Sequence, residues 1–294
     1  MKPAKLILAC AALALPYCSV QAKWFEESNT VSKMHESLLN DDLNGMFDLM
    51  VQVWQQESED YLRPHLDALL EQAVEKDCGK SLMTEGFPAW LDNVVINKNT
   101  IQRPGRTSYK VRINIESEST IKDVSLLRWP DSHISSEKQI SQKVDIDTDN
   151  ERQLHYTSKN YSLSSDLKSG LYQIIISDVN GESWKSWVIL DSITPAQEVR
   201  WESRDSWAVD KKKLLNPSCP LPRQTVEVLE YSEGKYSRVW QKSYESRYPK
   251  QLPKNSVEPN RYLVSVSMVN SRWQGPIIIQ EQNTISKTID LTEE

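Results

Sequence analysis

The chain has 294 residues, 35 basic and 41 acidic side chains for a net charge of −6, and 38% hydrophobic content. That balance excludes wholesale disorder, and an acidic chain without an extended basic stretch is a poor partner for nucleic acid or anionic headgroups. The length accommodates two or three modest cores.

Lys2 and Lys5 precede a nearly all-apolar stretch from Leu6 to Leu15, and Val20-Gln21-Ala22 offers a small-residue cleavage site before Lys23. This is the anatomy of a secretory signal peptide over residues 1–22, so the mature chain is expected in the periplasm, beginning at Lys23. The apolar run is too short to span a bilayer, and the mature form is not expected to insert in the membrane. Lipidation at Cys10 is disfavoured by the bulky Leu8 and the short apolar stretch ahead of it. With Cys10 and Cys18 lost, Cys78 and Cys219 remain. Two thiols in an oxidising compartment are expected to pair; the alternative is two buried free cysteines.

From Val31 to about Asp77 apolar residues recur with helical period. Leu43, Met46, Phe47, Met50, Val51 and Trp54 share one face, as do Leu62, Leu66, Leu69, Leu70, Ala73 and Val74 in the next segment. Val31, Met34, Leu38 and Leu39 mark a shorter first helix. Asp41 and Asp42 suit a turn and cap, Pro64 requires a helix start close to Asp60, and Gly79 supplies a C-terminal stop. The spacing predicts an antiparallel three-helix unit within residues 23–89, ending in a Gly- and Pro-bearing connector.

Beyond it the period drops to two: Tyr109, Val111, Ile113 and Ile115 alternate with polar residues, as do Val124 and Leu126. Gly170 to Leu190 reads as a complete hairpin and returns about ninety residues later as Asn260 to Ile279. In each copy a tyrosine (Tyr172, Tyr262) opens a β-branched run, Val179-Asn180 or Val269-Asn270 begins a turn, and Trp184 or Trp273 starts the returning strand. Both tyrosines stand where a sandwich places the tyrosine corner, whose hydroxyl bonds upstream backbone. Thr194-Pro195 marks the boundary between a first sandwich over residues 90–194 and a second over residues 195–294. The fold class expected is α+β and multidomain: an N-terminal helical unit followed by two tandem immunoglobulin-like or fibronectin-like β-sandwiches.

The segments LLNPSCPLP (Leu214 to Pro222), YESRYPKQLP (Tyr244 to Pro253) and VSMVNSRWQGPI (Val266 to Ile277), with Lys23-Trp24-Phe25-Glu26 after the leader, carry a resemblance. The chain resembles an uncharacterised family, a domain of unknown function, of periplasmic proteins from vibrios and related marine bacteria. The resemblance runs the length of the mature chain and implies a gene neighbourhood shared with a two-component system that responds to cell-wall damage. It carries over no catalytic residue.

Asp145, Asp147 and Asp149 open like a calcium loop, but Asn150 replaces the turn glycine and Tyr156 the bidentate glutamate, so a solvated acidic turn is the stronger expectation. His35, His65, His133 and His155 fall in no zinc spacing, and neither a nucleophile elbow nor a phosphate loop occurs. No metal, cofactor or catalytic set is expected. Ten tryptophans are the compositional excess. In Trp184-Lys-Ser-Trp187 the two rings must point to opposite faces of a regular strand. Trp201, Arg204, Trp207 and Lys211, Lys212 and Lys213 gather aromatic and basic groups in the segment between the sandwiches, making it the candidate binding surface. The expected function is a non-enzymatic binding or accessory protein that contacts another envelope protein, such as a sensor. The alternatives are a glycan-binding module for peptidoglycan or surface polysaccharide, and a hydrolase with an unrecognised carboxylate site.

Overall fold

A computed structural model describes residues 30–56, 62–130, 132–134, 140–147, 152–190 and 193–292. The expected leader and Asp149 lie outside the described residues.

Three helices come first: α1 (Thr30–Leu39), α2 (Leu43–Gln56) and α3 (Arg63–Asp77). The Asp42 carboxylate accepts a hydrogen bond from Gly45 N at 3.0 Å and caps α2. Pro64 sits in the first turn of α3, where its missing N–H costs nothing. Cys78 takes a left-handed conformation (φ 64°) and ends α3, followed by Gly79 at φ 84°. Met34, Met46, Phe47 and Met50 are fully buried, whereas Leu39, expected on the apolar face, is 83% exposed.

The strands are β1 (Leu91–Arg103), β2 (Arg106–Ser117), β3 (Ile121–Arg128), β4 (Ser132–His133), β5 (Ser141–Asp147), β6 (Arg152–Leu163), β7 (Gly170–Asp178), β8 (Ser183–Leu190), β9 (Gln197–Trp201), β10 (Trp207–Lys211), β11 (Arg223–Ser232), β12 (Lys235–Tyr244), β13 (Arg261–Gln274) and β14 (Ile277–Asp290). Eight of them form one sheet in the order β12-β11-β13-β14-β1-β2-β6-β5; β4-β3-β7-β8 form a second, and β9 and β10 a short hairpin.

This overturns the expected helical unit followed by two tandem immunoglobulin-like sandwiches. The chain is mostly β, and β1 pairs in parallel with β14, so strands from both sides of the Thr194-Pro195 boundary lie in one sheet. Ile277 and Ile279 of β14 belong to a core with Val94, Ile113, Ile174 and Val188, while Ile285 and Ile289 of the same strand belong to another with Val226, Val264 and Trp207. Fourteen residues at about 3.3 Å each give a strand long enough to serve both. The helices share a third core with Leu171 of β7 and Ile189 of β8, which places them against the second sheet.

The tyrosine-corner bonds are nevertheless present. Tyr172 Oη donates to Lys168 O at 2.5 Å and Tyr262 Oη to Glu258 O at 2.9 Å. Each is a contact four residues long, so it fixes a strand entry and leaves sheet order open. The two hairpins also diverge. The first turns at Val179 and Asn180 as expected, but Val269 and Asn270 lie in mid-strand opposite Gln282 and Glu281, and the second turn is Gly275-Pro276. Gly275 takes φ 57° and lies so close to the connector that a Cβ would come within 2.3 Å of Met83 Cβ. Trp273 therefore lies at the end of the outgoing strand, one residue before its last, Gln274. Trp184 is in the core with Nε1 donating to Gly86 O at 2.9 Å, and Trp187, on the opposite face, meets Trp129 edge-on at 5.6 Å.

The first hairpin turn is held by Asp178, which is 1% exposed. Its Oδ1 accepts from the N–H groups of Asn180 and Glu182, and its Oδ2 from Asn180 Nδ2, each at 2.9 Å. Burial by itself would raise the pKa of this carboxyl, but the hydrogen bonds, led by that from Glu182, outweigh it and the pKa is lowered. The carboxylate form is thus favoured by folding. Its stabilisation is fully present above the unfolded pKa of about 3.9 and is lost as pH falls through the lower folded value. Urea midpoints of Asp178→Asn are expected to fall less than wild type between pH 5 and acid; parallel curves would remove Asp178 from the acid sensitivity.

Candidate functional site

The segment from Lys213 to Pro222 crosses the C-terminal end of α3, where the last carbonyls of a helix lack intrahelical partners. Asn216 Nδ2 donates to Val74 O at 2.9 Å and Ser218 Oγ to Lys76 O at 3.2 Å. Lys213 Nζ meets Glu71 Oε1 at 2.6 Å, and Cys219 is disulfide-bonded to Cys78 with Cα atoms 5.0 Å apart. Four ties therefore hold ten residues that Pro217, Pro220 and Pro222 keep out of any sheet ladder. Held in this way, the segment leaves apolar side chains in solvent: Leu214 is 94% exposed, Leu221 56% and Leu215 40%.

Between this segment, α3 and β13 lies a cavity of about 310 Å³. Pro195 and Ala196 extend its apolar wall, and Glu71, Glu75 and Glu281 contribute carboxylates. Arg272 also lines it, 6% exposed, with Nη2 donating to Ile189 O at 3.1 Å and Nη1 to Trp273 O at 3.5 Å. Burial lowers the Arg272 pKa to about 10 against the opposing pull of Glu281, so the guanidinium stays charged at neutral pH.

A second cleft, of about 320 Å³, opens between α2, α3 and the strand ends of β3 and β7. Trp54 and Trp129 contribute rings, with the Arg63 guanidinium 5.6 Å over Trp54 and Trp129 38% exposed. Arg128, also in its wall, donates from Nη2 to Ser169 O at 3.4 Å.

The residues expected to form the binding surface do not gather there. Trp207 is fully buried among Val199, Val226 and Val264, and its ring meets Trp201 edge-on at 6.0 Å. Trp201 is half-buried beneath Lys287, whose Nζ stands 4.0 Å from the ring centroid. Arg204 and Lys211 are exposed, and Lys212, just beyond β10, pairs with Glu198 of β9 at 3.4 Å. Only Lys213 of the six lines the cavity beside α3 and β13. Asp145 and Asp147 lie on β5, and among the described residues no three His, Cys, Asp or Glu side chains form a metal-sized group. Sequence reading missed Leu214, Leu221 and Arg272 because a leucine in a proline-rich run carries no periodic signal, and Arg272 sits in a strand otherwise read for its apolar positions.

The class these observations define is a mostly β protein stapled by one disulfide, with an apolar groove beside the staple. The model of the family described as Protein of unknown function (DUF2861) matches residues 24–290, and the chain belongs to that family. No curated protein matches it.

Trp207→Ala is expected to cost about 3–5 kcal/mol of stability, because a fully buried ring leaves a cavity. Replacing Lys211, Lys212 and Lys213 by serine removes only half-exposed pairs, each worth about 1 kcal/mol or less. Urea unfolding of both variants side by side measures the contrast, and equal losses would contradict the core placement.

Proposed function

We infer that the chain is a non-enzymatic binding protein of the periplasm, whose groove beside the Cys78–Cys219 bridge receives an apolar segment of another envelope protein. The observation that carries this reading is Leu214, 94% exposed on a backbone tied at four points. Apolar side chains presented on an already ordered backbone bind with little ordering cost, and exposed apolar clusters mark interfaces. Of the three carboxylates that line the groove, Glu71 meets Lys213 and Glu281 faces Arg272 and Lys98, which leaves Glu75 to complement a lysine or arginine flanking the partner's apolar residues. The formed disulfide suits an oxidising compartment, and the leader at residues 1–22 suits export. The resemblance to envelope proteins encoded beside a cell-wall-damage response makes the periplasmic part of a sensor the partner class.

Peptide display against the purified mature chain is expected to enrich apolar residues flanked by Lys or Arg. Leu214→Asp with Leu221→Asp should weaken the selected peptides roughly tenfold or more while changing stability by about 0.5 kcal/mol or less. Enrichment of acidic peptides, or binding that survives both substitutions, would overturn the groove. N-terminal sequencing of exported protein is expected to begin at Lys23; Met1 or an acylated Cys10 would overturn the leader reading.

The cleft of Trp54 and Trp129 favours a second reading, in which an indole face stacks on a sugar of peptidoglycan or surface polysaccharide beside Arg63 and Arg128. Retention on purified sacculi that Trp129→Ala abolishes and Leu214→Asp leaves intact would select it over the groove.

A further inference from the structure

Folding brings together two of the four histidines. His35 on α1 and His65 on α3 are thirty positions apart in sequence, yet their Nε2 atoms stand 2.8 Å apart, with ring centroids 4.8 Å apart and planes tilted by 44°. Their neighbours anchor them: Met34 is fully buried and Leu66 is 4% exposed. The backbone beneath each ring is therefore fixed by the helical core, while His65 is exposed and His35 partly so. Two imidazoles at this separation share one proton, one ring donating its N–H and the other accepting.

We propose that His35 and His65 form a two-imidazole site for a divalent transition metal ion, copper(II) or zinc(II), that bridges α1 and α3. Two nitrogens each about 2.0 Å from one ion stand roughly 2.8 Å apart in a cis square-planar arrangement and roughly 3.3 Å apart in a tetrahedral one. The observed separation is already that of a chelating pair. What has to change is direction, because the nitrogens face each other, and a turn about the soft terminal torsion of each imidazole swings both lone pairs toward a common point outside the helices. The proton balance closes without an external base: the donating ring passes its Nε2 proton through solvent to its own Nδ1, and both Nε2 atoms then ligate.

Among the described residues no third His, Cys, Asp or Glu joins the pair, and the proposed donor set is the two imidazole nitrogens with water oxygens. That donor set suits copper(II) and zinc(II), with copper(II) the tighter, and does not suit calcium or magnesium, whose sites are built from oxygen. The ion would tie α1 to α3.

The test uses untagged mature protein freed of metal by chelator and titrated with copper(II) sulfate under electron paramagnetic resonance. One equivalent is expected to bind with coupling from two nitrogen nuclei, and amides of α1 should exchange hydrogen more slowly once it is bound. Zinc(II) followed by calorimetry should show the same stoichiometry at lower affinity. His35→Asn and His65→Asn are expected to keep the metal-free melting temperature of the wild type, lose one nitrogen coupling each and weaken copper(II) roughly tenfold or more. Unchanged affinity and coupling in the double variant would place the ion elsewhere, at His133 or His155, and overturn the site. Absence of uptake at micromolar copper(II) would overturn it as well.

Discussion

The parallel pairing of β1 with β14 is the constraint on which the rest of the molecule depends, because it converts two sets of strands into one sheet. Its register runs from Val95 opposite Ile278 to Gln102 opposite Ile285. Much of the pairing is specified by polar side chains. Asn97 Nδ2 donates to both Gln280 Oε1 and Gln282 Oε1, at 3.2 and 3.1 Å, and Thr284 Oγ1 donates to Asn99 Oδ1 at 2.8 Å. Lys98 and Glu281 add opposite charges 3.8 Å apart, both mostly shielded from water. A slip by one residue would break these bonds and turn Ile277 and Ile279 out of the core, so the amide ladder and the apolar pattern select the same register.

That pairing also fixes where the β13–β14 hairpin ends, and the helices dock onto its tip. Trp273 N donates to Cys78 O and Gly275 N to Gly79 O, each at 2.9 Å. At Gly79 a Cβ would come within 2.2 Å of Trp273 O, so only glycine lets the helix end approach this closely. The disulfide then adds the Cys219 segment to the same joint, closing a loop of 141 residues. Helix end, hairpin tip and proline-rich segment thus meet at one place, and the groove is the space left between them. Its leucines stay in water because the segment that carries them is tied to α3 and to Cys78 at four points.

The two remaining features stand on the helical layer. The Trp54 and Trp129 cleft is formed where α2 and α3 overhang the ends of β3 and β7, and the histidine pair lies where α1 and α3 meet. Both depend on the burial of Met46, Phe47 and Met50 against Leu171 and Ile189, which sets the height of the helices above the second sheet. Groove, cleft and histidine pair all involve α3, so the packing of that helix bears on all three.

The sequence by itself determined what is local. The helical period of Leu43 to Val74, the capping Asp42, the stop at Gly79, the opposite facing of Trp184 and Trp187, the two tyrosine hydroxyl bonds and the pairing of the only two cysteines outside the expected leader were legible, because each is decided within a few residues or by elimination. Tertiary structure decided the rest. A repeat that reads alike at Val179-Asn180 and Val269-Asn270 turns at only one of them, because Gly275 found the connector at Met83 and Asn270 found β9, where its side chain bonds both N and O of Gln197. Trp207 went to the core and Lys213 to Glu71. The joining of β1 to β14 has no local signal, since a parallel neighbour more than 180 residues away leaves no trace in hydrophobic period; it is settled only when both strands need the same core.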